Sequence, residues 1–258
     1  MANITWNGST ATLGGQAVTP LTELHAPNDP PEFDTTGSTD TTHLHGTGKH
    51  KCQATCGFLG SHFPAAGVVV SLAFQVGQTG SGATYTNANM PGEPALAFAT
   101  QVSISGRKDG RIEGNATLVP ADTSLTPVTQ TWTAGDLGFN GHAFSFAGAA
   151  FTGIVGAQYS GTCQAIDSTG AEASAPVATV NVPGIIDESI TITTLGPPQC
   201  AAKATGATSN TWNDGGTAGT STGSYTAECV STHPGGQLDG QDTTEHVFKM
   251  RRTGSGNS

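Results

Sequence analysis

Any chemistry in this chain would have to come from its histidines and carboxylates. His43, His45 and His50 crowd one segment, with Asp40 beside them. On a strand, His43 and His45 would share a face. Two imidazoles and one carboxylate form a known ligand set for a divalent metal. The surrounding residues read as loop, however, and scattered surface histidines are the commoner case, so no metal is assigned. Glu32 with Asp34, and Asp187 with Glu188, could do general acid–base work. Glycoside hydrolysis needs two carboxylates facing each other in a cleft, and three Trp and three Tyr supply a sugar-stacking cleft poorly. Trp6, Trp132 and Trp212 read as packing residues.

Other catalytic signatures are missing. There is no GxSxG elbow and no ordered Ser/His/Asp pattern. Gly46-Thr47-Gly48-Lys49 lacks the upstream glycine of a phosphate loop, and His50 stands where Ser or Thr is needed. Asp239-Gly240-Gln241-Asp242 lacks calcium-loop spacing and reads as a β-turn. Five cysteines (Cys52, Cys56, Cys163, Cys200 and Cys229) give an odd count with no CxxC pair. They read as buried thiols of a reducing compartment. The expectation is a protein that is not an enzyme and takes no cofactor or metal.

The elements around these residues are strands. Asp, Glu, Lys and Arg make up 11% of the 258 residues, against about 25% in an ordinary soluble domain. Gly accounts for 36, and Thr, Ser and Ala crowd the rest. Glycine favours turns and bulges, and threonine favours the pleated surface. The fold class expected is all-β, as two tandem β-sandwich or half-barrel units. So little charge suits a surface covered by further copies of the chain, and equally a soluble exterior made polar by Ser and Thr. The net charge of −10 argues against gripping nucleic-acid phosphates; it suits a surface that DNA passes without sticking, and ordinary colloidal solubility as well. No secretory signal opens the sequence, and the most apolar run, 65–74, is too short to span a bilayer.

Along the chain, 4–6 and 10–13 read as strands around an Asn7-Gly8 hairpin turn, and 16–25 as a third strand. Residues 26–48, with Pro27, Pro30 and Pro31, read as a long polar loop of the kind that carries function. Strands follow at 49–59, 67–76 and 96–104, with turns at 77–82 and Arg107-Lys108-Asp109-Gly110 before the return strand 111–119. After a junction at 120–127 come strands at 144–146, 154–159, 185–195 and 200–204, with loops at 165–177 and 207–223. A closing hairpin, 225–232 with 243–251, turns at Pro234-Gly235-Gly236. The expected units are 1–122 and 123–252, with 253–258 as a disordered tail.

The two halves resemble each other. Phe33-Asp34-Thr35-Thr36-Gly37 matches Ile166-Asp167-Ser168-Thr169-Gly170, and each opens a loop that ends in a strand closing on Leu-Gly (Leu59-Gly60, Leu195-Gly196). In the terminal hairpins Val102-Ser103 is matched to Val230-Ser231, and Ile112-Glu113-Gly114 to Leu238-Asp239-Gly240. The order of the pieces argues for a duplication.

The first half, 15–120, resembles the tail tube (major tail) proteins of long-tailed phages. The residues that carry this are Phe33-Asp34-Thr35-Thr36 opening the long loop, and the ending Val102-Ser103-Ile104-Ser105 … Asp109-Gly110 … Ile112-Glu113-Gly114-Asn115-Ala116-Thr117-Leu118. The resemblance implies sheets joined edge to edge in a ring, homo-hexameric or, for a duplicated chain, homo-trimeric. Rings would stack into a tube through the long loop. Contact residues implied there are Asp29, Glu32, Asp34, Thr35, Thr36, Asp40, His43 and His45. Partners would be further copies and other tail proteins, with DNA passing through the lumen unbound and no membrane involved. The product would be made in the host cytoplasm and reside in the virion. The competing expectations are a capsid decoration or fibre-type protein with Ig-like domains, and a glycan-binding module.

Overall fold

A computed structural model describes residues 10–18, 20–25, 28–29, 32–34, 45–47, 51–76, 85–86, 96–133, 135–170, 179–221, 225–238 and 240–252. All regular structure among them is strand. The first half holds β1 (Thr10–Leu13), β2 (Gln16–Ala17), β3 (Leu21–His25), β4 (Asn28–Asp29), β5 (Glu32–Asp34), β6 (His45–Thr47), β7 (Lys51–Cys52), β8 (Ala54–Leu59), β9 (Val70–Val76), β10 (Tyr85–Thr86), β11 (Leu96–Arg107) and β12 (Glu113–Pro120). The second holds β13 (Ala143–Phe146), β14 (Ala149–Ala150), β15 (Ile154–Asp167), β16 (Asn181–Leu195), β17 (Thr205–Gly206), β18 (Thr208–Thr211), β19 (Tyr225–Leu238) and β20 (Gln241–Arg252). The fold is all-β.

One antiparallel sheet crosses both halves in the order β3-β8-β12-β11-β15-β16-β20-β19-β17. Its strands alternate as a sheet with one covered face demands. In β8, Ala54, Cys56 and Phe58 are buried between the less buried Thr55, Gly57 and Leu59. One cross-strand row on the covered face runs Phe58, Gly114, Ile104, Tyr159, Ile190, Phe248, Cys229. Glycine is required in that row at Gly114, because a Cβ there would lie 2.3 Å from the Phe58 ring. The neighbouring row on the other face reads Asn115, Ser103, Ser160, Ser189, Lys249. That face is a lawn of hydroxyls and amides.

A second layer covers the apolar face. In the first half it is the ladder β2-β1-β9-β10, which branches from the sheet where β9 pairs with β11 at Ser71–Leu96 and Val70–Ala97, and in the second the small sheet β14-β13-β18. Leu13, Leu72 and Phe74 fill the first interface; Phe144, Phe146 and Phe151 meet Phe248 at ring centroids of 5.0, 4.9 and 5.9 Å in the second. Each such side chain contributes about 1.5–3 kcal/mol by leaving water. The main apolar core is continuous across the halves, from Ala11 to Phe248.

The pairings themselves repeat. Hairpin β1–β2 pairs Thr12 with Ala17 and Leu13 with Gln16. Hairpin β13–β14 pairs Ser145 with Ala150 and Phe146 with Ala149, each 133 positions on. β3 meets β8 at Leu21–Phe58 and, past a bulge, at Glu23–Gly57. β15 meets β16 at Ile154–Thr194 and, past a bulge, at Gly156–Thr193. The β11–β12 ladder breaks between Ala99 and Gln101, and the β19–β20 ladder between Cys229 and Ser231, each 130 positions on. The strand order β3-β8-β12-β11 thus recurs as β15-β16-β20-β19.

Several expectations need correction. Segment 16–25 is two strands: β2 folds back onto β1 over the Gly14-Gly15 turn, and after a break at Pro20 β3 pairs with β8 instead. Segment 26–48 contains strands: β4 pairs with β7 and β5 with β6, extending β3 and β8 into a long hairpin arm. Its prolines have no N–H to give a ladder, which made it read as loop. In the same way 165–167 belong to β15, and β16 begins at Asn181. Residues 200–204 are not strand, and Lys203 sits at φ 67°. β18 lies inside the supposed loop 207–223. Pro234, Gly235 and Gly236 lie within β19, where the ladder shifts register, and the chain reverses instead around Gly240 (φ 78°). In register Val102 therefore corresponds to Thr232, not Val230; the shared Val-Ser was composition, not alignment. Segments 4–6, Asn7-Gly8, 77–82 and 253–258 lie outside the described residues.

Candidate functional site

The predicted contact residues fall on the first arm. Asp29 sits in β4 opposite Lys51; Glu32 and Asp34 sit in β5 opposite Thr47 and His45. Thr35, Thr36, Asp40 and His43, and also His50, lie outside the described residues. Among the described residues no three His, Cys, Asp or Glu gather as a metal site.

The second arm shows what the Asp-Ser/Thr-Thr element does. Asp167 closes a turn by accepting the Thr169 N–H at 2.8 Å, and the Thr169 hydroxyl bridges back to Val180. Ser168 donates to Asp122 at 2.9 Å. Donors from Ser124 and Ser168 hold the Asp122 carboxyl below its usual range, and Asp122 N–H donates to Asn181. The junction between the halves therefore clasps the end of the arm. The arm exposes Ile166, Ile185 and Ile186 (46%, 77% and 48%), side chains that would ordinarily be covered.

Two sheet margins form the other candidate surface. β11 pairs with β15 over seven residues, Gln101–Thr162 to Arg107–Gly156, and so joins the halves. The strand corresponding to β11 is β19, and the strands corresponding to β15 are β3 and its extension β4. Along β19, β17 covers only Ala227 and Glu228. The stretch equivalent to 101–107, residues 231–237, pairs with β20 on its inner side and has no partner on its outer side among the described residues, nor does the outer margin of β3. Sequence reading missed this pairing because nothing local marks which strands are neighbours.

A cleft of about 900 Å³ opens between the halves, lined by His62, Trp132, Tyr159, Ile186, Glu188 and Tyr225 among others. Tyr159 donates its hydroxyl to Glu188 at 2.5 Å; burial first, and then the Glu188 charge, push its pKa up. A Ser–His–Asp trio borders this cleft, but its geometry is structural. Ser61 donates to the Asp214 carboxylate at 2.5 Å, and His62 Nε2 donates to the Asp214 backbone carbonyl at 2.9 Å. The imidazole thus bonds a main-chain carbonyl and has no bond to the serine that could activate it. Asp214 instead fastens the β8–β9 connection to the turn after β18. His142 packs against Phe139 and Trp212 with neither ring nitrogen hydrogen-bonded, and burial pulls its pKa to about 4.

Comparison with protein-family models and with curated proteins finds no match to this chain.

Proposed function

We propose that this chain is a structural subunit that assembles with itself, edge to edge, into rings that stack as a tube of the phage tail type, without catalysis. The observation that carries this reading is the β11–β15 joint. It pairs two strands whose counterparts, β19 from Ser231 onward and β3, have no outer partner among the described residues, at opposite margins of the same sheet. Unpaired margins invite strands, and repeating the internal joint between chains closes a ring that has none. With two repeats per chain, three chains would give six repeats, as the resemblance to tail tube proteins implies.

The second layer needs the larger circumference, so the hydroxyl and amide face would line the lumen. Its bases Lys249 and Arg251 are tied to Asp187 and Glu228. That leaves Glu23, Glu113 and Glu245 against Arg107, a sign that repels DNA. The two arms, the second with its exposed Ile166, Ile185 and Ile186, are the surfaces a stacked ring would cover.

Register supplies the test. Gln101 pairs with Thr162 in the internal joint, so Ser231 of one copy should face Asp29 of the next. Ser231→Glu then places like charges across each joint, at about 0.2–1 kcal/mol apiece, and should raise the concentration needed for assembly several-fold. Adding Asp29→Lys should restore it. An unchanged threshold in the single variant, or no rescue in the double, overturns the joint.

A further inference from the structure

We propose that Cys200 and Cys229 are a disulfide-forming pair, which a small oxidising disulfide converts into a covalent clamp at the outer margin of the sheet. This does not depend on the assembly reading. The two Sγ atoms lie 2.8 Å apart, well inside the roughly 3.5–4.0 Å at which non-bonded heavy atoms rest.

The backbone already holds the two segments together. Lys203 N–H donates to the Cys229 carbonyl at 2.6 Å, and Cys229 N–H to the Ala204 carbonyl at 2.9 Å. Gln199 N–H donates to the buried His246 Nε2 at 3.0 Å, anchoring the residue beside Cys200. Cys229 is buried and Cys200 partly exposed, so a small reagent would reach Cys200 first. The first half has no counterpart, because Ala99 occupies the position equivalent to Cys229.

The chemistry balances with glutathione disulfide as oxidant. The Cys200 thiolate attacks one glutathione sulfur, forms a mixed disulfide and releases one glutathione thiol. Cys229 then attacks Cys200 Sγ and releases the second. The protein gives up two protons and two electrons, and the oxidant is reduced to two thiols. Burial, then the neighbouring Cys229, pushes the Cys200 thiol up to about 12. Exchange should therefore be slow at neutral pH and quicken as pH rises.

The full chain would be incubated with glutathione disulfide at pH 8.5, both folded and during refolding. It would then be cut with trypsin and a glutamate-specific protease, whose cleavage after Glu188 separates Cys163 from Cys200. The expected result is a Cys200–Cys229 linked peptide about 2 Da lighter than its parts. The melting temperature should rise by roughly 5–10 °C, and both effects should be lost in Cys200→Ser. No such peptide in either arm, linkage to Cys163 instead, or a linked protein with unshifted melting overturns the proposal.

Discussion

Asp214 joins segments far apart in sequence, and its removal can be worked through quantitatively. The side chain is 4% exposed. One oxygen accepts the Ser61 N–H at 2.5 Å; the other accepts the Ser61 hydroxyl at 2.5 Å and the Gly216 N–H at 3.1 Å. Gly60 and Gly135 crowd it so closely that a Cβ on either would meet Asp214 atoms at 2.8 and 2.4 Å. Asp214→Ala orphans three donors. Each bond to a charged acceptor is worth about 1.5–3 kcal/mol, but the bonds share one group and are not additive. Ser61 also borders the cleft, where water can partly replace the lost acceptor. The expected loss is about 3–4 kcal/mol. Asp214→Asn, which keeps one acceptor oxygen, should lose about 1–2 kcal/mol, and Ser61→Ala about 1 kcal/mol. Urea unfolding at pH 7, followed by the fluorescence of buried Trp212, measures all three at matched m-values. An Asp214→Ala variant within about 0.5 kcal/mol of the parent, or an inverted order, would refute the idea that this carboxylate pins the halves together.

Three further outcomes are expected. His142 is held neutral by burial, with a folded pKa of about 4 against 6.5 unfolded. The unfolded chain therefore binds the extra proton first, so stability is full above pH 6.5 and falls as the pH drops toward 4; His246, pulled down by burial in the same direction, adds to the slope. Urea midpoints against pH should show this slope reduced in His142→Phe. Ala147 holds φ 51° where the matching turn has Gly14, and a Cβ in that region costs about 1–2 kcal/mol; after the entropy that glycine loses, Ala147→Gly should gain about 0.5–1 kcal/mol in thermal unfolding. Replacing residues 35–44, which link β5 to β6 in sequence, by Asn-Gly should leave a folded, ring-forming protein that no longer stacks, as sedimentation would report; undiminished tube growth would remove the stacking role from that arm.

The strands were legible where apolar and polar residues alternate, as in β8, β11 and β12. So was the Φ-Asp-Ser/Thr-Thr-Gly correspondence, which falls 133 positions apart, in register with the β1–β2 and β13–β14 hairpins. What stayed hidden needed long-range partners. β4 to β7 are too short and too close to proline to announce themselves, yet they extend a ladder that β3 and β8 begin. Thr208–Thr211 reads as loop by composition and becomes strand because β13 lies beside it. Pro234-Gly235-Gly236 carries every local mark of a turn, but β20 remains paired past it as far as Gln241. The Cys200–Cys229 approach joins residues 29 apart that no spacing rule connects.

Electron microscopy of the purified full-length chain across a concentration series tests the assembly most directly. The account predicts closed rings with a central channel that stack into hollow tubes, each ring built from three chains and showing six repeats. Monodisperse monomers at every concentration, even with preformed tube fragments added as seeds, would contradict it.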